Sequence, residues 1–376
     1  MNKTYKFRIY PTKNQTSKLN NTLEICRLVY NDLLSKRNKE YDDNKKTLSC
    51  YTQQKYITQQ KSIHPKMKEI NSQVLQNVAV RVDLAFQGFF RRVKSKGEKA
   101  GFPRFKSFNR YQSITYPQNN GSFSFQKDCK IKLSKIGCVK IKKHRDLKGT
   151  PKTCTVIKTS TDKWFISITC INVEKKPLPV NDKIVGIDLG ISTFATYSNG
   201  TKINNPKFFK DEIKSLTKSQ RKLSKLKKGT KERKQQIKVV ARIHERTKNK
   251  RDNFSHQLSR KLINKFDLIC VEDLNINRMK ITGKRIKINR SIQDVAWRNF
   301  LSNLVSKAEE AERQIMKVNP AYTSQTCSEC YSRQKLVLSD RTFKCNTCGL
   351  SIDRDLNASI NILRLGQQSL ESKLDS

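Results

Sequence analysis

Four cysteines, Cys327, Cys330, Cys345 and Cys348, are spaced C-x2-C-x14-C-x2-C. Each C-x2-C pair makes a tight turn offering two thiolates to one ion, and two such turns supply the tetrahedral sulfur set that suits Zn²⁺. No histidine stands beside them, so sulfur fills every position and the site is structural, not catalytic. The chemistry must come from other residues.

Carboxylates supply it. Asp188 lies in the apolar run IVGIDLG (184–190), Glu272 in ICVEDL, and Asp353 and Asp355 in DRDLNASIN. Taken singly, these are a turn residue before Gly190, a strand-end ion pair and a helix N-cap. Together they are costly, because acids at the ends of core strands repel one another unless a cation joins them. Two Mg²⁺ held by three carboxylates are the machinery of in-line phosphodiester cleavage, one ion generating the nucleophile and the other steadying the leaving oxygen. Such sites need hard oxygen ligands, and the four histidines (His64, His144, His244, His256) form no ligand-like group. No Walker loop, H-E-x-x-H or G-x-S-x-G occurs. Hydrolysis of a nucleic-acid backbone remains, with Asp353 and Asp355 equivalent on spacing alone.

The charge balance points the same way. The chain has 376 residues, with 78 Lys and Arg against 32 acids, a formal +46. A polyanion is required, and nucleic acid rewards many distributed cations through counterion release. A membrane surface would favour one cluster, whereas the basic residues here run the full length. No apolar run reaches a membrane span and the first residues lack a secretory signal's apolar core. Seven further cysteines scattered singly fit a reducing, cytosolic setting.

Several elements must bring the acids together. KTYKFRIYP alternates as a strand, and a helix is expected from about Thr16. A second helix runs through SQVLQNVAVRVDLAFQGFFRR, with Val74, Val78, Val82, Phe86 and Phe89 on one face. Short alternating runs from about 105 to 175 predict a small antiparallel β unit that the opening strand joins. After a linker, IVGIDLG predicts a strand, 211–265 a basic helical pair broken at Gly229, and DLICVE a buried strand. QDVAWRNFLSNLVSKAEEAERQ predicts a helix, IMKV a strand and the DRDLNAS segment a terminal helix, an α/β pattern.

GIDLG, CVED and DRDLNAS, with the cysteine motif just before the last, resemble the split RuvC-type nuclease site of the TnpB family, transposon-encoded relatives of type V CRISPR effectors. YKFRIYPTKNQ, RLVYN, GFPRFKS, HERTKNKRDNFSHQLS and YTSQTCSEC extend the resemblance over nearly the whole chain. It implies a multidomain α/β protein. A wedge-like β domain would occupy 1–11 and 100–178, with a helical recognition domain at 12–99. An RNase H-like (RuvC) nuclease domain would occupy 181–318 and 351–365, with a zinc ribbon at 319–350 and a disordered tail at 366–376.

Matched residue by residue, Asp188, Glu272 and Asp355 take the catalytic Mg²⁺-binding positions, with Asp353 the alternative to Asp355. The resemblance further implies a guide noncoding RNA and a double-stranded DNA target beside a short flanking motif. Sequence recognition by base pairing accounts for a protein that grips duplex backbone without a base-reading motif. Gln73, Gln76 and Asn77 become candidate contacts to the flanking motif, and Arg341 a support for the cleaved phosphate. Tyr331 stands where the family often has Gly. Two other readings are a nuclease-inactive RNA-guided repressor and an RNA-independent transposition accessory protein.

Overall fold

A computed structural model of the chain describes residues 1–95, 100–127, 129–274, 295–337 and 340–374. Two compact units result, Met1–Glu174 and Lys175–Ser376.

In the first unit, β1 (Lys3–Tyr10) ends at Pro11. Helix α1 (Lys13–Asn44) then starts on a capping box: Gln15 N donates to the Thr12 hydroxyl (3.3 Å) and Thr12 N to Gln15 Oε1 (3.0 Å). The TKNQ segment thus satisfies two helix-end amides reciprocally. After α2 (Cys50–Ile63) and α3 (Pro65–Lys68), α4 (Ser72–Lys94) buries the expected Val74, Val78, Val82 and Phe86, while Phe89 is half-buried. Strands β2 (Ser113–Tyr116), β3 (Phe123–Gln126), β4 (Lys130–Leu133), β5 (Gly137–Lys142), β6 (Thr150–Lys158) and β7 (Trp164–Ile171) follow. The antiparallel sheet order is β2-β6-β7-β1-β5-β4-β3, with Phe7 opposite Ile166 and Ile9 opposite Ile141. The helical and β parts, expected as separate domains, form one unit. Their apolar faces share a single core that includes Phe7, Leu33, Val78 and Ile166.

The second unit contains β8 (Ile184–Asp188), β9 (Thr193–Tyr197), β10 (Lys202–Asn204), α5 (Phe208–Lys225), α6 (Lys231–Lys265) and β11 (Leu268–Glu272). It continues with α7 (Trp297–Ala311), β12 (Gln314–Val318), a small hairpin of β13 (Thr342–Lys344) and β14 (Ser351–Asp353), and α8 (Arg354–Leu374). The larger sheet runs β10-β9-β8-β11-β12; β8, β11 and β12 are parallel, and β9 and β10 antiparallel. The break between α5 and α6 includes Gly229, at φ +92°. The β9–β10 hairpin was not anticipated, although its Asn199-Gly200 turn, with Gly200 at φ +83°, is a hairpin signal. Gln293 and Asp294, expected in the helix, lie outside the described residues.

Both faces of the sheet are covered. Val185, Ile187, Ile269 and Val271 pack with Leu258 and Leu262 of α6 and Phe300 and Leu304 of α7. Positions of the other parity face α8, where Leu268, Cys270 and Met316 pack with Ile362. Two glycines permit that approach. A Cβ on Gly186 would stand 2.1 Å from Ser359 O and 2.6 Å from Leu363 N, and one on Gly366 would stand 2.2 Å from Cys270 Sγ.

The expectation of a disordered tail from 366 is therefore corrected: α8 continues to Leu374. Gly366 is a close-approach residue rather than a helix end, and Leu370 extends the apolar face beyond it. Gly186→Ala should cost about 1–3 kcal/mol through overpacking, read as a lower melting temperature. Gly101→Ala, with nothing within 4 Å of its Cβ, is the control; equal melting of both would show that α8 does not lie on β8.

Candidate active site

The three acids come from three elements. Asp188 ends β8 and Glu272 ends β11. The parallel register pairs Gly186 with Cys270 and Ile187 with Val271, so the next positions, Asp188 and Glu272, stand side by side. Because side chains alternate along a strand, both share the face of Gly186 and Cys270, the face that meets α8. Asp355 lies in the first turn of α8, one turn before the Ser359 that rests on Gly186. All three thus gather at the carboxyl ends of parallel strands, where open α/β sheets place their ligands.

The electrostatics of the acids follow from that arrangement. Burial, then the charges of Glu272 and Asp355, push the Asp188 carboxyl up to about 8, against the opposing pull of Arg354 and the Leu189 N–H. Burial also raises Glu272, which the Thr323 hydroxyl opposes by donating to Glu272 Oε1 at 2.6 Å. Such a group favours a cation over its ordinary solvent.

Asp353 does something else. Its Oδ1 accepts from the Asp355 and Leu356 N–H groups (3.1 and 3.0 Å), and its Oδ2 from Lys202 Nζ at 2.7 Å. Partial burial works against ionisation, yet the Lys202 ammonium and the backbone donors hold the carboxyl below its usual range. Asp353 caps α8, whereas Asp355 pairs with Arg354 at 3.7 Å and its charge acts on Asp188.

The four cysteines converge as their spacing predicts. Their sulfurs all lie within 4.8 Å of one another, the one such group of three or more ligand atoms among the described residues. Sγ–Sγ separations of 3.5 Å (Cys330–Cys345) and 3.7 Å (Cys327–Cys348) approach the edge of about 3.8 Å for a tetrahedron with Zn–S near 2.3 Å. The Cys348 N–H and the Ser332 hydroxyl hold Cys345 down to about 5, favouring the thiolate. Tyr331 takes the left-handed conformation (φ 63°) that Gly would adopt without strain, and the Arg364 guanidinium covers its ring at 3.9 Å.

The remaining candidates differ in availability. Gln73 Nε2 donates to Asn120 Oδ1 (2.8 Å) and its Oε1 accepts from Ser122, while Asn77 Oδ1 accepts from Arg81 Nε. Gln76 is exposed. Arg341 Nη2 donates to the hydroxyl of Ser192 at 3.4 Å, in the loop that follows Asp188.

Sequence reasoning missed Thr323, Asn357 and Asn361. All three are buried and polar, and both asparagines sit at i, i+4 on the buried side of α8, where Ile362 is apolar. That pair of polar residues in a core stripe was the available signal.

A family profile described as probable transposase matches residues 167–282, a Cas12f1-like TNB domain matches 297–362, and a helix-turn-helix domain matches 1–46. Residues 1–46 here form β1 and one uninterrupted helix. A solved Cas12f1 complex with single-guide RNA and target DNA superposes with a TM-score of 0.59 at 15% identity, covering 96% of this chain and 98% of that one. The fold is the mixed α/β, multidomain fold of that effector.

A Streptomyces pristinaespiralis protein provisionally named an RNA-guided DNA endonuclease is 31% identical over 97% of this chain and 89% of its own length. Escherichia coli K12 InsQ, provisionally named likewise, is 28% identical over 97% and 92%. The CRISPR-associated endodeoxyribonuclease Cas12f1 of Sulfoacidibacillus thermotolerans is 30% identical over 54% of this chain and 50% of its own. The chain belongs to the TnpB family of transposon-encoded RNA-guided DNA endonucleases.

The raised Asp188 carboxyl has a sign. Between its unfolded value of 3.8 and about 8 the folded, Mg²⁺-free chain keeps a proton that the unfolded chain has lost, so stability falls as pH rises through that window. Asp188→Asn should melt higher than wild type at pH 8 and alike near pH 4. Parallel melting curves at both would show that Asp188 stands apart from the other acids.

Proposed function

We propose that this chain, as an RNA-guided DNA endonuclease, hydrolyses target DNA beside a short flanking motif at a two-Mg²⁺ site held by Asp188, Glu272 and Asp355. The observation that carries the reading is the register that sets Asp188 beside Glu272 on the face reached by Asp355. The donor set fits the ion: three hard carboxylates, with Arg354 the only cation among the groups that shift Asp188. When bound, the ions supply charge neutralisation at the phosphate and activation of water.

The protein's own groups do the rest. Asp188, whose carboxyl feels the charges of both other acids, would hold the ions together with Glu272 and Asp355. Thr323 fixes the Glu272 carboxylate. Arg341, beside the loop after Asp188, supports the cleaved phosphate. The RuvC-type reading makes the sheet of β8–β12 an RNase H-like core. The four cysteines hold one structural Zn²⁺, with separations that suit four thiolates on one ion. Guide RNA and duplex DNA supply the polyanion that a formal +46 requires. Of the flanking-motif candidates, exposed Gln76 remains available, whereas Gln73 and Asn77 carry internal bonds. A chain that only bound DNA would gain nothing from mutually repelling, partly buried carboxylates.

The test is to purify the chain with its co-purifying RNA, reprogram that RNA, and assay cutting of matched DNA. Asp188→Ala, Glu272→Ala and Asp355→Ala should each lower cutting by at least about 10²-fold while DNA binding persists; Asp353→Asn should retain most of it. No discrete RNA, or cutting by the Asp188 variant, overturns the reading. Separately, Cys345→Ser should lose the zinc and lower the melting temperature; unchanged metal content would refute the zinc assignment.

A further inference from the structure

We propose that Thr323 is a positioning residue for Glu272 and that the four-cysteine module holds it in place, so that the module serves the cleavage site as well as its own fold. The inference rests on the two-Mg²⁺ reading above. Glu272 is 9% exposed, and its Oε1 accepts from the Thr323 hydroxyl at 2.6 Å. Thr323 is itself 4% exposed and belongs to no helix or strand. Something else must fix it.

Two asparagines of α8 do so. Asn361 Nδ2 donates to Thr323 O (3.0 Å) and to Thr326 O (2.7 Å). Asn357 Nδ2 donates to Thr326 O (2.8 Å), and its Oδ1 accepts from Ser328 N (2.9 Å). Both asparagines are at most 1% exposed. Cys327 lies between Thr326 and Ser328, so one stapled segment carries the hydroxyl that orients Glu272 and the first thiolate of the cysteine cluster. The helix that brings Asp355 to the site also fastens this segment. Release of Cys327 therefore loosens Thr323, and Glu272 gains rotational freedom that a metal ligand has to lose again on binding.

The RNA-loaded full chain carrying Thr323→Val or Thr323→Ser tests this. The Val variant should cut about 10- to 100-fold more slowly at saturating DNA and need more Mg²⁺ for half-maximal rate. It should also show a smaller Mg²⁺-induced rise in melting temperature without DNA. Its KM for DNA and zinc content should stay unchanged, and Ser should restore wild-type behaviour. A wild-type rate and Mg²⁺ dependence for Val, or Ser as impaired as Val, overturns the proposal; so does zinc loss in both variants. Cys327→Ser should cost less in the Val background than in wild type, and independent costs would overturn the link to the module. If Glu272→Gln cuts normally, the two-Mg²⁺ reading itself has failed. If Glu272→Gln is inactive while Val is normal, only the positioning role has.

Discussion

Where α8 crosses β8, the missing side chain at Gly186 lets the Ser359 carbonyl occupy the space that a Cβ would fill. That contact sets the height of the helix over the sheet, and the helix start follows from it. Asp355 is one turn upstream of Ser359, so its distance from Asp188 is decided by a glycine two residues before Asp188. The same helix packs Ile362 against Cys270 and Met316 and staples the segment before the cysteine cluster through Asn357 and Asn361. One helix thus supplies a carboxylate, covers a sheet face and anchors a neighbouring module. Its burial is also what makes the acid cluster costly, since removal from water raises the free energy of each carboxylate that lacks a cation.

Much of this was legible in the sequence because chemistry and periodicity coincided there. The strand ending in Asp188, the buried strand ending in Glu272 and the cysteine spacing each carry their own local rule. The Val74–Phe86 stripe does as well. What was not legible depends on who touches whom. Asp353 and Asp355 are alike on spacing, and only Lys202 and the backbone amides that Asp353 caps separate them. GQQSLESKL looks like a polar tail until Gly366 is seen against Cys270. Thr323 lies in a turn far from Glu272 in sequence, so no local pattern could join them. The single core of the first unit was hidden for the same reason, because α4 and β7 each look complete alone.

The first unit bears the electrostatic cost of the chain's task. None of its seven strands contains Asp or Glu, and Arg8 faces Lys142 across β1–β5 while Lys130 faces Lys140 across β4–β5. Like charges directly opposite in an antiparallel pair destabilise it. The sheet tolerates them because its other face is a continuous apolar core. Salt or a polyanion relieves the repulsion without altering a single packing contact.

The order of the three acids along the chain has a bearing on synthesis. A ribosome releases Asp188 and Glu272 well before the helix that covers their sheet face, so a chain stopped between residues 318 and 355 carries two of the acids and an uncovered apolar strip. Such a product lacks Asp355, and its Cys270 and Met316, uncovered by α8, are apolar surface of the kind that drives aggregation.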